Sequence, residues 1–201
     1  MMRRPHGAEF APGAHVFPGG SLHAEDAAFE DADRAAAVRE LFEEVGILLA
    51  RRYDGSFARD RECELLRAAL ADEGPFPDAL SACQLTPAFD RLTLLSRWIT
   101  PEALRRRFDT RFYLSRRPAG QTVHPGPGEV EEVIWISPAS ALAAEGPTLV
   151  HATRRVLESV AGEPNPARLI ARLRRRRREP PPVLSVVERL PDGSGFRVVD
   201  P

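Results

Sequence analysis

Apolar residues recur at helical spacing in the stretch 32–49, at positions 35, 38, 41, 42, 45 and 48. This pattern predicts an amphipathic helix, with Asp31 or Asp33 available as its N-cap. Gly46, near the end of the stretch, can take the left-handed conformation that closes a helix. The 20 residues at the start of the chain are rich in Gly and Pro, and they predict a loop that enters a turn.

The rest of the chain alternates between strand and helix patterns. A second amphipathic helix is predicted over residues 60–72, after which Pro75 and Pro77 are expected to interrupt the chain. Residues 92–114 hold two β-rich runs around a short helical turn that begins at Pro101. This alternation predicts an α/β or α+β layered domain.

The C-terminal third continues the alternation and then changes character. A strand is predicted over residues 131–137, and Trp135 in this apolar context is expected in the core. A short helix at "PASALAAEG" and another helix over 148–161 are predicted to follow. Residues 167–182 form an arginine-rich helix that meets a proline stop, and "VLSVVERLPDGSGFRVVD" predicts a small hairpin that turns at "PDGSG".

Composition excludes several classes of protein. The 29 acidic and 28 basic residues nearly cancel, so the overall charge indicates no partner, and the five arginines at 174–178 are better explained as a solvated helix end than as a nucleic-acid site. Two cysteines are too few for a disulfide framework. No apolar run reaches the roughly 18 to 20 residues of a membrane span, and a cytoplasmic location is expected.

One turn and a half of the first helix is crowded with negative charge. The stretch "RELFEEVG" places Glu40, Glu43 and Glu44 at spacings of three and four, so the carboxylates can gather on one side of a helix. Arg39 can balance one of them, because it lies four positions before Glu43 and can clamp that carboxylate. The remaining oxygens suit a hard divalent cation such as Mg²⁺, whereas the plainer alternative is a solvated helix face.

The stretch "RELFEEVGI" matches the second half of the Nudix box, and the chain resembles the Nudix hydrolase family. The first half fits less well, because Gly20 precedes Arg39 by 19 positions where the pattern has 14, and Asp31 stands where the pattern has a glutamate. With this longer loop the chain is similar to a subgroup of Nudix proteins that resembles the peroxisomal coenzyme A diphosphatases. The likeness to the subgroup lies in four stretches, "VFPGG", "AAVRELFEEVG", "WITPEALRRRFDTRFYL" and "EVEEVIWISPASAL".

The resemblance implies an α/β fold, a Nudix α/β/α sandwich with a mixed sheet and a helical insert. It places a Nudix domain at residues 1–160 with the insert at about 58–90, and a C-terminal helix and hairpin appendage at 161–201. Only "MMRRP" stands where the family's sheet has a strand ahead of the turn. Two alternatives remain open: an upstream segment is missing from the start, or the chain uses fewer strands.

The resemblance also implies a hydrolase, dependent on Mg²⁺ or Mn²⁺, that splits the diphosphate of a nucleoside diphosphate derivative. By motif position the metal ligands are Glu40, Glu43 and Glu44, and the catalytic set is Arg39, Glu43 and Glu44. Substrate binding is expected from Gly19 and Gly20 of the "FPGG" turn and from Arg107 and Arg111. Glu129, Glu131 and Glu132 are candidates for an additional ligand or base.

Coenzyme A or an acyl-coenzyme A is the preferred substrate candidate. Hydrolysis of ADP-ribose, a nucleoside diphosphate sugar or a dinucleotide polyphosphate is the first alternative, because the same metal site serves all of these. The second alternative is a non-catalytic Nudix-like module that binds a nucleotide. A small-molecule nucleotide is the expected partner, and the family's frequent dimers leave a homodimer open.

Overall fold

A computed structural model describes residues 1–71, 74–103, 107–191 and 196–199. Within these ranges the strands are β1 Met2–Arg3, β2 His15–Val16, β3 Ala50–Arg51, β4 Thr86–Pro87, β5 Thr93–Ile99, β6 Asp109–Leu114, β7 Glu132–Val133, β8 Val183–Leu184, β9 Val186–Arg189 and β10 Phe196–Val199. The helices are α1 Ala32–Val45, α2 Asp60–Ala71, α3 Phe76–Ala82, α4 Pro138–Ala141, α5 His151–Ala161 and α6 Pro166–Arg174. The chain divides into two compact units, residues 1–92 with 115–135 and residues 93–114 with 136–201.

The sheet of the first unit is built around β1, which pairs antiparallel with β2 on one side and β7 on the other. Met2 is therefore a central residue, opposite Val16 and Val133, and its side chain is buried against Val45 and Ile47. The loop expected over residues 1–20 thus contains two short strands. Pairing on both sides explains how so short a segment holds its place, since each neighbour supplies backbone hydrogen bonds.

Helix α1 begins and ends on the signals that the sequence contains. The side chain of Asp31 accepts a hydrogen bond from the Arg34 N–H, and Gly46 takes a left-handed φ of 72° with its N–H bonded to the Phe42 carbonyl. The helix therefore stops at Val45, four residues before the predicted end. Its buried positions include apolar residues that face the core and also the charged residues Arg39, Glu40 and Glu44.

The predicted helical insert holds two helices. Helix α2 has nearly the predicted bounds, but the expectation that Pro75 and Pro77 only interrupt the chain is wrong, because α3 begins there. Pro75 is the N-cap of α3 and Pro77 lies in its first turn. A proline at this place loses no helix bond, because the first N–H groups of a helix have no partner inside it. Buried Phe76 and Leu80 anchor the helix.

In the second unit β5 pairs antiparallel with β6 and parallel with β8. A bulge between Leu94 and Ser96 shifts the β5–β6 register. The predicted C-terminal helix and hairpin are α6 and the β9–β10 pair, although the hairpin turn at 192–195 lies outside the described residues, as does part of the turn expected after Pro101.

The strand expected over residues 131–137 is much shorter than predicted, since β7 covers only Glu132–Val133. The side chain of Trp135, expected in the core, is 70% exposed. In the described part of the chain, no helix is both long and apolar enough to cross a bilayer.

Candidate active site

Arg39 is fully buried and lies at the centre of an acidic network. Its Nη1 donates to Glu40 Oε1 at 2.9 Å and to Glu43 Oε2 at 3.0 Å. Its Nε and Nη2 donate to the two carboxylate oxygens of Asp26 at 3.1 and 3.0 Å, and Nη2 also reaches the Ser21 carbonyl at 2.8 Å. The bidentate partner of Arg39 is thus Asp26 and not Glu43, because Asp26 faces the guanidinium edge that carries two parallel N–H groups.

Asp26 is the residue of this network that the motif did not reveal. It lies in the 3-10 turn Ala24–Ala28 of the inserted loop, is 1% exposed, and also accepts a hydrogen bond from the His23 N–H at 2.8 Å. Counting back from Arg39 along the family pattern leads instead to Asp31, which caps α1. The insertion therefore moves the partner of Arg39 to a position that spacing alone does not identify.

The "FPGG" turn lies against two of the three motif glutamates. The Gly19 N–H donates to Glu44 Oε2 at 2.6 Å. A Cβ at Gly20 would stand 2.5 Å from Cδ and 2.6 Å from Oε2 of Glu40, so only glycine lets the backbone approach this carboxylate. Both glycines, Glu40 and Glu44 line one cavity of ≈580 Å³.

Glu129 lines the same cavity, at the end of a loop that is seated on the C-terminal turn of α1. The N–H groups of His124 and Gly126 donate to the Val45 and Glu44 carbonyls, each at 2.9 Å. These bonds satisfy carbonyl groups that a helix end leaves without partners. The loop thereby brings a third carboxylate to the cavity of Glu40 and Glu44.

Glu131 and Glu132, the other two candidates for an additional ligand or base, are not among the residues that line this cavity. Glu131 accepts a hydrogen bond from the His6 N–H at 2.9 Å and lies 3.6 Å from Arg3 Nε. Glu132 lies 3.4 Å from Arg3 Nε and 3.9 Å from His15 Nε2. Both carboxylates thus belong to ion pairs along the β2-β1-β7 sheet.

Burial strongly perturbs the acidic cluster. Burial raises the pKa of Glu44 to about 8, with the charges of Glu40 and Glu129 adding to the rise and the Gly19 N–H opposing it. Burial also raises the pKa of Glu43, although Arg39 opposes that shift. For Arg39 burial favours the neutral form, but the bonds to Asp26 and the charge of Glu40 prevail and raise its pKa, so the guanidinium stays charged.

The carboxylate oxygens at this cavity are of the kind that binds a divalent cation. Glu40 and Glu44 are 8% and 5% exposed and share a cavity with Glu129, so carboxylate oxygens are gathered where ionisation is costly without a counter-charge. Among the residues described, no three acidic, histidine or cysteine side chains already stand at metal-binding spacing. Glu43, which lines a separate smaller cavity, is turned toward Arg39.

Arg107 and Arg111 belong to the second unit. The Arg107 Nε donates to the Thr100 carbonyl at 3.2 Å, beside β6. Arg111 lies on β6 and pairs in register with Arg97 of β5. Their contact with substrate stays a prediction.

Two further groups at the cavity were not identified from sequence. Arg4 and His23 line it together with the glutamates, and the charge of Arg4 opposes the upward pKa shift of Glu44. Arg4 precedes the "FPGG" turn by 13 positions and carries no motif. The antiparallel pairing of β1 with β2, which sequence patterning did not predict, brings this residue to the site.

Comparisons with known proteins identify the family of the chain. The family model of the NUDT19 Nudix domain matches residues 27–145, more than half of the chain. A curated Caenorhabditis elegans protein called nudix hydrolase 7 is 35% identical over 138 residues, 69% of this chain and 46% of its own length. The chain thus spans about half the length of that relative.

A solved structure gives the same assignment at the level of the fold. The crystal structure of a NUDIX hydrolase from Alicyclobacillus acidocaldarius superposes with a TM-score of 0.68 at 26% identity, and it covers 85% of this chain and 86% of the other. The predicted α/β sandwich fold is thereby confirmed. Because the family model covers most of the motif-bearing segment, the chain belongs to the Nudix hydrolase family.

Proposed function

We propose that the chain hydrolyses a diphosphate linkage in a nucleoside diphosphate derivative, with Mg²⁺ or Mn²⁺ bound at the cavity that Glu40 and Glu44 line. Glu43 is turned toward Arg39, and its contact with the ion stays a prediction. The observation that carries this proposal is the cavity in which Glu40, Glu44 and Glu129 face a glycine turn that approaches within hydrogen-bond distance. A bound divalent ion supplies charge neutralisation at the phosphoryl oxygens and acidifies a water molecule. This ion also makes the crowded carboxylates tolerable.

The chain's own residues divide the remaining work. Arg39 is a positioning residue, since it holds Glu40 and Glu43 through one nitrogen while Asp26 fixes the other edge of its guanidinium. Glu129 lines the cavity with Glu44 and is the carboxylate that we assign to accept the proton of the attacking water. In the proposal, Gly19 and Gly20 let the backbone lie close to the Glu40 and Glu44 carboxylates. Because neither glycine has a side chain, the turn also leaves room in the cavity for phosphate.

Coenzyme A or an acyl-coenzyme A is the proposed substrate. The support for this choice is the subgroup likeness of residues 98–114 together with the match to the NUDT19 model, which represents a coenzyme A diphosphatase type of Nudix domain. Arg107 and Arg111 lie in that segment, and we assign them to substrate phosphates because guanidinium groups bind phosphate oxygens in pairs. A cytoplasmic location and a homodimer remain expectations.

The test is a hydrolysis panel. Coenzyme A, acetyl-coenzyme A, ADP-ribose, a nucleoside diphosphate sugar and a diadenosine polyphosphate are incubated with Mg²⁺ or Mn²⁺, and products are resolved chromatographically. Wild type is compared with Glu44→Gln and with Glu64→Gln, an exposed glutamate on α2 that serves as the matched control. We expect coenzyme A to be cleaved fastest, with a loss on the order of 100-fold or more only in Glu44→Gln.

Each other result has a definite meaning. Faster cleavage of another compound in the panel keeps the reaction and changes the substrate. Equal rates in wild type and Glu44→Gln, or no cleavage of any compound by wild type, contradict the proposed reaction and leave the non-catalytic nucleotide-binding module.

A further inference from the structure

Arg4 directly follows β1 and lines the cavity that Glu40, Glu44 and Glu129 share. The residue is half-buried, and its backbone N–H donates to the Ala14 carbonyl at 3.0 Å, which continues the antiparallel pairing of β1 with β2. The backbone that carries this side chain is therefore fixed at the cavity by the sheet of the first unit.

The guanidinium of Arg4 is anchored at one nitrogen. Its Nε donates to the Phe10 carbonyl at 2.9 Å, within the loop that joins β1 to β2. In the part of the chain that the structure describes, no carboxylate lies at ion-pair distance from this guanidinium. The two Nη groups are thus left to donate to a bound ligand, and the N–H groups of a guanidinium match the spacing of phosphate oxygens.

The charge of Arg4 acts on the motif carboxylates of the cavity. Burial is the largest influence on the pKa of Glu44 and raises it, whereas the positive charge of Arg4 opposes this rise. The guanidinium is therefore near enough to Glu44 to influence its ionisation without forming a direct ion pair with it.

The proposed substrate requires positive charge beyond that of the metal ion. Because Glu40, Glu44 and Glu129 must be ionised to bind a cation, one divalent ion leaves a net negative charge that repels a diphosphate. His23, the other basic side chain among the described residues of this cavity, already has its Nδ1 3.9 Å from a carboxylate oxygen of Glu25. Arg4 keeps its charge throughout the physiological pH range and has N–H groups to spare.

We propose that Arg4 binds the diphosphate of the substrate, donating from its Nη groups to phosphate oxygens while the cation at the glutamates neutralises others. This assignment rests on the proposed function, which supplies the diphosphate. The bond from Nε to the Phe10 carbonyl holds the guanidinium in place before the substrate arrives, so less side-chain freedom is lost on binding. Arg4 is thus a substrate-binding residue that lies outside the family motif.

Two variants separate the charge of Arg4 from the shape of its guanidinium. Arg4→Gln removes the charge and keeps an N–H donor, whereas Arg4→Lys keeps the charge without the planar fork. Arg61→Gln and Arg61→Lys are the matched controls, because Arg61 is exposed on α2. Titration calorimetry with Mg²⁺ measures the binding of inorganic diphosphate, electron paramagnetic resonance measures Mn²⁺ affinity without diphosphate, and thermal melting reports the fold.

We expect Arg4→Gln to bind inorganic diphosphate about tenfold or more weakly than wild type, and Arg4→Lys about threefold more weakly. Affinity for Mn²⁺ should be equal or higher in Arg4→Gln, because the carboxylates lose a neighbouring positive charge that repels the ion. A merely structural role predicts the opposite, since a distorted cavity loses affinity for both ligands. Both Arg61 controls should match wild type.

Three results would overturn the assignment: equal diphosphate affinity in wild type and Arg4→Gln, no diphosphate binding by wild type, or a parallel loss of diphosphate and Mn²⁺ affinity. If Arg4→Gln melts below the assay temperature, Arg4→Lys decides alone, and diphosphate affinity equal to that of wild type would contradict the assignment. Hydrolysis by wild type with diphosphate binding that is independent of Arg4 refutes this inference only. Binding that depends on Arg4 without hydrolysis refutes the proposed function only.

Discussion

Replacing Gly20 by alanine tests whether the glycine turn sets the position of a motif carboxylate. The backbone at Gly20 is unstrained for alanine, so the only obstacle is contact between the new methyl group and Glu40, 2.5 Å away at Cδ. Ordinary contact distances require the carboxylate to retreat by at least about 1 Å. That shift breaks the 2.9 Å hydrogen bond between Glu40 and Arg39.

The expected consequences differ for stability and for activity. The displaced group is the end of a flexible side chain, so we expect a stability loss of only about 1 kcal/mol. A misplacement of about 1 Å in a catalytic group can cost on the order of 100-fold in rate, which corresponds to about 2.7 kcal/mol of transition-state stabilisation. We therefore expect Gly20→Ala to melt nearly like wild type while its kcat/KM falls by about that factor.

Three measurements decide the outcome. Thermal melting reports the fold, Mn²⁺ titration followed by electron paramagnetic resonance reports the cation site, and hydrolysis of the best compound from the panel reports kcat/KM. Gly7→Ala is the matched control, because Gly7 lines the same cavity and a Cβ there meets nothing within 4 Å. If the two variants have equal kcat/KM and equal Mn²⁺ affinity, the close approach of the turn has no functional role and the reasoning is refuted.

Three other predictions follow from the same geometry. Asp26→Asn leaves Arg39 with less buried counter-charge and should lower the free energy of unfolding by about 3 kcal/mol in chemical denaturation. The control Glu30→Gln, at an exposed residue, should change that free energy little, and equal free energies for the two variants would contradict the pairing of Arg39 with Asp26. Gly126→Ala forces a Cβ against a helix carbonyl that cannot move away, so melting should show a loss of about 1–3 kcal/mol together with lower activity, and an unchanged melting curve would refute the docking of the loop. In a chelator, stability should decline as the pH rises toward 8, and Glu44→Gln should remove the part of this decline that Glu44 causes.

The parts of the site that could be predicted are those in which chemistry follows from local spacing. Helix geometry alone brings Glu40 and Glu44 to one side of α1, and the structure has both at one cavity. The same spacing predicted that Arg39 pairs with Glu43, and the structure has this hydrogen bond at 3.0 Å. It did not foresee that Glu43 lines a second cavity, because the direction in which a side chain leaves the helix depends on its tertiary partners.

The spacing of residues along the sequence could not predict contacts between distant segments. Asp26 meets Arg39 across the inserted loop, and no periodicity marks a loop residue as a buried ion-pair partner. Trp135 was misassigned for a related reason, since an apolar run predicts a strand only where a neighbouring strand pairs with it, and β7 ends at Val133. The prolines before α3 are equally ambiguous without structure, because the residue that interrupts one helix can begin the next.

The charge balance of the cavity makes the stability of the folded protein depend on the protonation of Glu44. Glu40, Glu44 and Glu129 line it together with a single arginine, Arg4, so the ionised cluster carries more negative than positive charge. A folded-state pKa of about 8 for Glu44 lies above the ordinary value of 4.5, so the folded protein binds this proton more tightly than the unfolded chain does. The stabilising contribution is complete below pH 4.5 and is lost as the pH rises through 8.

A divalent cation must therefore act with the opposite pH trend. Since Mg²⁺ binds the ionised carboxylates, its stabilising effect on wild type should grow as Glu44 loses its proton, and the melting temperature measured with Mg²⁺ should separate from that in chelator over this pH range. Glu44→Gln should show neither the decline nor most of the separation. If wild type in Mg²⁺ and in chelator melts at the same temperature at pH 8, the buried carboxylates do not bind a cation and the catalytic proposal loses its basis.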